Sequence, residues 1–90
     1  MAKFKKLMRS FLNEPVEVSF SDVKKLLEAF EFSEDNSSGS HHIFRHEDGR
    51  MITIPKKGGQ KVKGFYVKQV NKVLRLEEWY EQQNEGEADD

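Results

Sequence analysis

An Asp-Gly pair, Asp48-Gly49, stands between two runs of β-prone residues, and it constrains the fold of this 90-residue chain more than any other feature. The runs are residues 41–46 and 50–54, and Pro55 stops the second. Asp-Gly in that setting marks a hairpin, because the pair tolerates the backbone angles a tight turn requires. Side chains alternate along a strand, so His41, Ile43 and Arg45 share one face and His42, Phe44 and His46 the other. On the second strand Ile52 and Ile54 share a face, opposite Met51 and Thr53. This pattern predicts a core face of Phe44, Ile52 and Ile54, and it sets His41 on the wetter face beside Arg45. His42, on the Phe44 face, is expected to be packed or hydrogen-bonded; His46, near the turn, is expected to be solvated.

The flanking segments read as helices. Phe4, Leu7, Met8, Phe11 and Leu12 recur at the spacing of one helix face, with Lys3, Lys5, Lys6 and Arg9 off it. That helix should end near Asn13, since Pro15 disfavours helical geometry just before it. Residues 16–20 read as a linker or short extended piece. Ser21 is placed to cap a second helix, with Asp22 complementing its dipole and Val23, Leu26, Leu27 and Phe30 facing the core. Phe30-Glu31-Phe32-Ser33 reads as the start of a first strand, and residues 34–39 as a polar loop. Residues 56–61 form a basic connection whose Gly pair lacks the Gly-x-x-x-x-Gly-Lys-Ser/Thr spacing of a phosphate loop. A last helix is expected from Gly64 to about Glu81, with Lys68, Lys72 and Arg75 on an exposed flank. Residues 84–90 hold no hydrophobe able to offset ordering entropy and are expected to be a disordered acidic tail.

The order is helix, helix, three strands, helix: an α+β domain with a three-stranded antiparallel sheet. Without the first helix (residues 1–14), residues 16–83 follow the α-β-β-β-α order of the double-stranded-RNA-binding (dsRBD-like) fold, which reads RNA shape, 2′-hydroxyls and phosphates. The absence of cysteine excludes disulfides and thiolate metal sites. His41 and His42 point apart on a strand, so no zinc site is expected, and no cofactor. No apolar run is long enough for a signal peptide or a membrane span, so the expectation is a cytoplasmic protein with no membrane partner. Charge is uneven. The last fourteen residues carry seven acids and no base, which leaves fifteen bases against nine acids before them, a net of +6. From Arg45 to Arg75 nine bases face two acids, a net of +7. A basic body with an acidic tail suits a protein that meets nucleic acid.

Gly39-Ser40-His41-His42-Ile43-Phe44, then His46-Glu47-Asp48-Gly49-Arg50 and Ile52-Thr53-Ile54-Pro55, resembles the HicA toxin family, small ribonucleases of type II toxin–antitoxin systems. The resemblance extends from about residue 18 to residue 76 and takes in Lys63-Gly64-Phe65-Tyr66-Val67-Lys68-Gln69-Val70. It implies the dsRBD-like fold, metal-independent cleavage of mRNA, and a HicB-like antitoxin as partner. It also implies that His41, the first histidine after Gly-Ser, is catalytic. Imidazole, with an ordinary pKa near 6.5, can act as general base toward an RNA 2′-hydroxyl at neutral pH. Gly39 would let RNA approach the backbone. Arg45, Lys56 and Lys57 would hold phosphate, and Ser40, Lys61, Lys63 and Lys68 complete the expected RNA-contacting set. Two other readings compete: a non-catalytic RNA- or protein-binding module on the same fold, and a structural subunit whose first helix drives homo-oligomerisation.

Overall fold

A computed structural model describes residues 2–39, 41–56 and 60–85. The elements run α1 (Ala2–Leu12), β1 (Glu17–Ser19), α2 (Phe20–Ala29), β2 (Ser33–Ser38), β3 (His41–Arg45), β4 (Met51–Pro55), β5 (Lys61–Lys63), α3 (Gly64–Leu74) and α4 (Leu76–Glu85). The α+β reading holds: β2, β3 and β4 form a three-stranded antiparallel sheet in sequence order. Helices supply the rest of one core. Phe44, Ile52 and Ile54 from the sheet pack with Val23, Leu26 and Leu27 of α2, Val67, Val70 and Leu74 of α3, and Met8 and Phe11 of α1. Each fully buried side chain of this size contributes about 1.5–3 kcal/mol, so α1 is part of what holds the domain together.

The β3–β4 hairpin closes as the Asp-Gly signal requires. His46 O accepts the Gly49 N–H at 3.0 Å, His46 N–H donates to Arg50 O at 2.9 Å, and Gly49 has φ +102°. The turn is locked further by Asp48, whose carboxylate accepts the Arg50 N–H and lies 2.8 Å from Arg50 Nε. Arg50 in turn donates to Val73 O on α3 and lies over the Phe32 ring, tying the turn to the helix layer.

Several local readings are corrected. Phe30 does not begin a strand; it caps α2, with its N–H on the last carbonyls of the helix, and Glu31 follows at φ +69°. The strand starts at Ser33 and runs through residues 34–38, which read as loop. Its polar composition conceals it, because β2 is an edge strand specified by pairing with β3 rather than by burial. The cap of α2 is Ser19, whose Oγ accepts the Asp22 N–H at 3.2 Å, and not Ser21. A second, two-stranded sheet joins β1 to β5, with Val18 opposite Val62. The final helix is two helices, separated at Arg75, which adopts φ +52°. The second of them, α4, extends to Glu85, so residues 84 and 85 of the expected tail are helical, while residues 86–90 lie outside those described. On α1, Lys5 is buried rather than solvated, and Arg9 Nε donates to Tyr80 OH at 2.8 Å.

Candidate functional site

His41 is the first residue of β3. It follows Gly39, whose φ of +62° turns the chain back from β2 so that Ser38 pairs with His41. An L side chain at Gly39 would meet open space but would be strained by that φ. Cross-strand, His41 lies opposite Pro55 at the end of β4. The imidazole is exposed and makes no hydrogen bond or ion pair with a described residue, as strand alternation predicted.

His42 faces the other way and is built into the structure. Its Nδ1 lies 2.5 Å from Glu34 Oε2, its ring centroid is 4.6 Å from that of Phe20, and its Nε2 is buried without a partner among the described residues. Glu34 also faces Lys24 Nζ at 3.4 Å. The His42 hydrogen bond, assisted by Lys24, holds the Glu34 carboxyl below the ordinary glutamate range despite some opposing desolvation. A carboxylate whose folded pKa is depressed contributes stability that is present above its unfolded pKa, near 4.5, and lost as pH falls through the folded value. Glu34→Gln should therefore lower the unfolding midpoint at pH 6–7 and have less effect at pH 3. Thermal melts of both proteins across pH 3–7 check this, and a gap that stays constant with pH would contradict it. Asp48 shifts the same way, chiefly because it accepts the Arg50 backbone N–H.

His46 departs from its expected solvation. Its ring centroid is 5.1 Å from that of Phe32, and its Nδ1 accepts the Asp48 N–H at 3.0 Å. The turn itself folds the ring inward.

The expected RNA-contacting residues divide into groups. Arg45 shares the open sheet face with His41 and is paired to Asp35 at 2.8 Å. Lys56 follows Pro55, but its side chain goes to the opposite side, with Nζ 4.7 Å from the centroid of Phe20, the ring that also contacts His42. Lys61 and Lys63 are exposed on β5, with Lys63 opposite Glu17. Lys68 lies on α3, 3.9 Å from Glu14. Ser40 and Lys57 lie outside the described residues. The structure thus sets Arg45 on the same face as His41 and Lys56 around the strand end from it, and distributes the other cations over β5 and α3.

Sequence reasoning missed two features. Phe20 is the ring on which Lys56 and His42 converge; its only sequence signal was an aromatic residue immediately ahead of a helix start. Asp35, which holds Arg45, lay in the stretch read as loop. Among the described residues, no three His, Asp or Glu side chains group as metal ligands would. Among the same residues, no helix is long and apolar enough to cross a membrane. A concave surface runs along α3, lined by Phe65, Lys68, Lys72 and Arg75, and does not include His41.

A family model described as HicA toxin of bacterial toxin-antitoxin matches residues 20–78, from the start of α2 into α4. No curated protein and no solved structure matches the chain.

Proposed function

The chain belongs to the HicA toxin family, and from that premise we propose that it is an endoribonuclease that cleaves mRNA without a metal, with His41 as general base. The reading rests on one observation above the rest: His41 stands exposed on the open face of the sheet, without a partner among the described residues, while the adjacent His42 is clamped by Glu34 and Phe20. A base must reach the proton it removes, and only the first imidazole is accessible to a ribose.

In this mechanism a ring nitrogen of neutral His41 accepts the proton of an RNA 2′-hydroxyl. The 2′-oxygen forms a bond to the adjacent phosphorus, and the bond from phosphorus to the 5′-oxygen of the next nucleotide breaks. The products are a 2′,3′-cyclic phosphate and a 5′-hydroxyl, the latter protonated by imidazolium or water. Arg45 shares the face on which negative charge develops, and its pairing with Asp35 fixes it there. Lys56, carried on the Phe20 ring, can hold a neighbouring phosphate as RNA rounds the strand end. Gly39 borders the same end, and Lys61, Lys63 and Lys68 extend the basic surface for flanking nucleotides. The partners in this reading are mRNA and a HicB-like antitoxin, and the fold is used as dsRBD-like domains use theirs, to engage backbone and 2′-hydroxyl.

The test is purified protein incubated with single-stranded RNA in the presence of chelator. Cleavage should persist, leave cyclic phosphate ends, and fail on 2′-deoxy substrate. Affinity for the uncleavable substrate should fall steadily as salt rises. Cleavage of the 2′-deoxy strand, or affinity indifferent to salt, would refute the proposal.

A further inference from the structure

The three-stranded sheet has two free edges, and the chain treats them differently. β2 is defended. Its sequence, Ser33-Glu34-Asp35-Asn36-Ser37-Ser38, is polar and acidic, and a bulge between Glu34 and Asn36 breaks its register. Bulges and charges are the usual means of keeping an edge from recruiting another strand. β4 has neither. It is Met51-Ile52-Thr53-Ile54-Pro55, regular along its length, uncharged, and β-branched at its three central positions.

The hydrogen bonding of β4 is half used. His46 and Arg50 form the bonded pair nearest the turn. Antiparallel pairs alternate, so Phe44–Ile52 and His42–Ile54 exchange the bonds to β3. The N–H and C=O groups of Met51 and Thr53 therefore point outward, and among the described residues no strand but β3 pairs with β4. Beside this edge lies a groove lined by Met51, Ile52, Gln69, Lys72 and Val73, with α3 as its second wall. An edge strand next to a helix-walled groove is the geometry of strand addition, in which backbone bonds supply affinity and the flanking wall selects side chains.

We propose that β4 is a docking edge for an extended, acidic segment of a partner protein, which adds to the sheet as a fourth strand between β4 and α3. Charge selects the occupant. The one charged residue lining the groove is Lys72, and the stretch Arg45–Arg75 that supplies both walls carries a net +7. A second copy of this chain pairing through β4 would bring two such surfaces together, with Arg50 of one opposite Lys56 of the other. Acidic residues flanking an alternating apolar strand reverse that repulsion. RNA fits the charge, but it cannot match the alternating donors and acceptors of a strand edge.

The test uses the full chain carrying His41→Ala, so that its outcome is independent of RNA cleavage. The probe is the peptide Glu-Asp-Val-Thr-Val-Thr-Val-Asp-Glu, and the control replaces each acid by lysine. Binding of the acidic peptide should slow hydrogen exchange at the Met51 and Thr53 amides by at least tenfold. Thr53→Pro, which removes an outward donor at an edge that tolerates proline, should weaken binding tenfold or more. Lys72→Glu, on the exposed face of α3, should weaken it about fivefold with the thermal midpoint unchanged, which separates lost binding from lost folding. The proposal is overturned if the peptide fails to bind at millimolar concentration, if the lysine control binds equally, or if protection falls on β2. It is also overturned if the same amides are protected by 2′-deoxy oligonucleotide, or by raising the protein concentration alone.

Discussion

If His41 is the proposed general base, His41→Ala should lower the rate of RNA cleavage by about 10²–10⁴-fold, the range such a positioned base supplies, and should leave RNA affinity and the thermal midpoint close to those of the parent. The second half of this expectation comes from the fold. The His41 side chain bears on no core residue and holds no hydrogen bond within the described structure, so its removal costs little stability. His42→Ala should behave in the opposite way: it strips the ring from Phe20 and leaves Glu34 with only Lys24, so stability falls. Single-turnover cleavage, filter binding and thermal melts on the two variants separate a catalytic imidazole from a structural one. Equal cleavage by His41→Ala and parent would remove this residue from the mechanism.

Gly64→Ala is expected to destabilise the fold by about 2–3 kcal/mol, the upper part of the range for forcing atoms into a well-packed site. A chain of this size should lose roughly 10–20 °C in Tm as a result. Gly64 opens α3 at the point where the linker after α1 crosses it. Its N–H donates to Val16 O at 2.7 Å, and a methyl group at its Cα would lie 2.5 Å from Pro15 O and 3.0 Å from Val16 O. Both obstacles are backbone directly ahead of the β1–β5 pairing that begins at Glu17, and the Gly64 N–H itself holds Val16 O, so neither swings aside freely. A melt within 2 °C of the parent would show that the crossing is more yielding than these distances imply. Gly39→Ala, where a Cβ meets nothing within 4 Å, costs only the strain of its positive φ. Two glycines in one short domain are thus required for unrelated reasons: steric crowding at one, backbone handedness at the other.

The hairpin and the exposure of His41 were legible in the sequence, because alternation and an Asp-Gly turn are local signals that burial reinforces. Phe44, Ile52 and Ile54 fell on the core face as their spacing demanded. What escaped reading was decided by distant partners. β2 is polar and extends only because β3 lies beside it. β1 and β5, three residues each, exist as strands only by pairing across more than forty positions. The break at Arg75 carries no glycine or proline to announce it; turning there lets Leu76 bury and α4 return against α1, where Tyr80 meets Arg9. At the candidate site, the fixed position of Lys56 depends on Phe20, thirty-six residues earlier in the chain, and no spacing rule connects them.

Adjacent imidazoles on opposite sides of β3 give the domain an internal gauge of its own alignment. Sliding the strand by one position would exchange them, sealing His41 against Phe20 and releasing His42 to solvent, and Phe44 would leave the core in the same step. The irregularity in β2 absorbs one surplus residue without passing it on to β3. A single residue gained or lost between that irregularity and His41 should therefore move β2 along β3, parting Glu34 from His42 and Asp35 from Arg45, while the Asp48-Gly49 turn keeps β3 in register with β4.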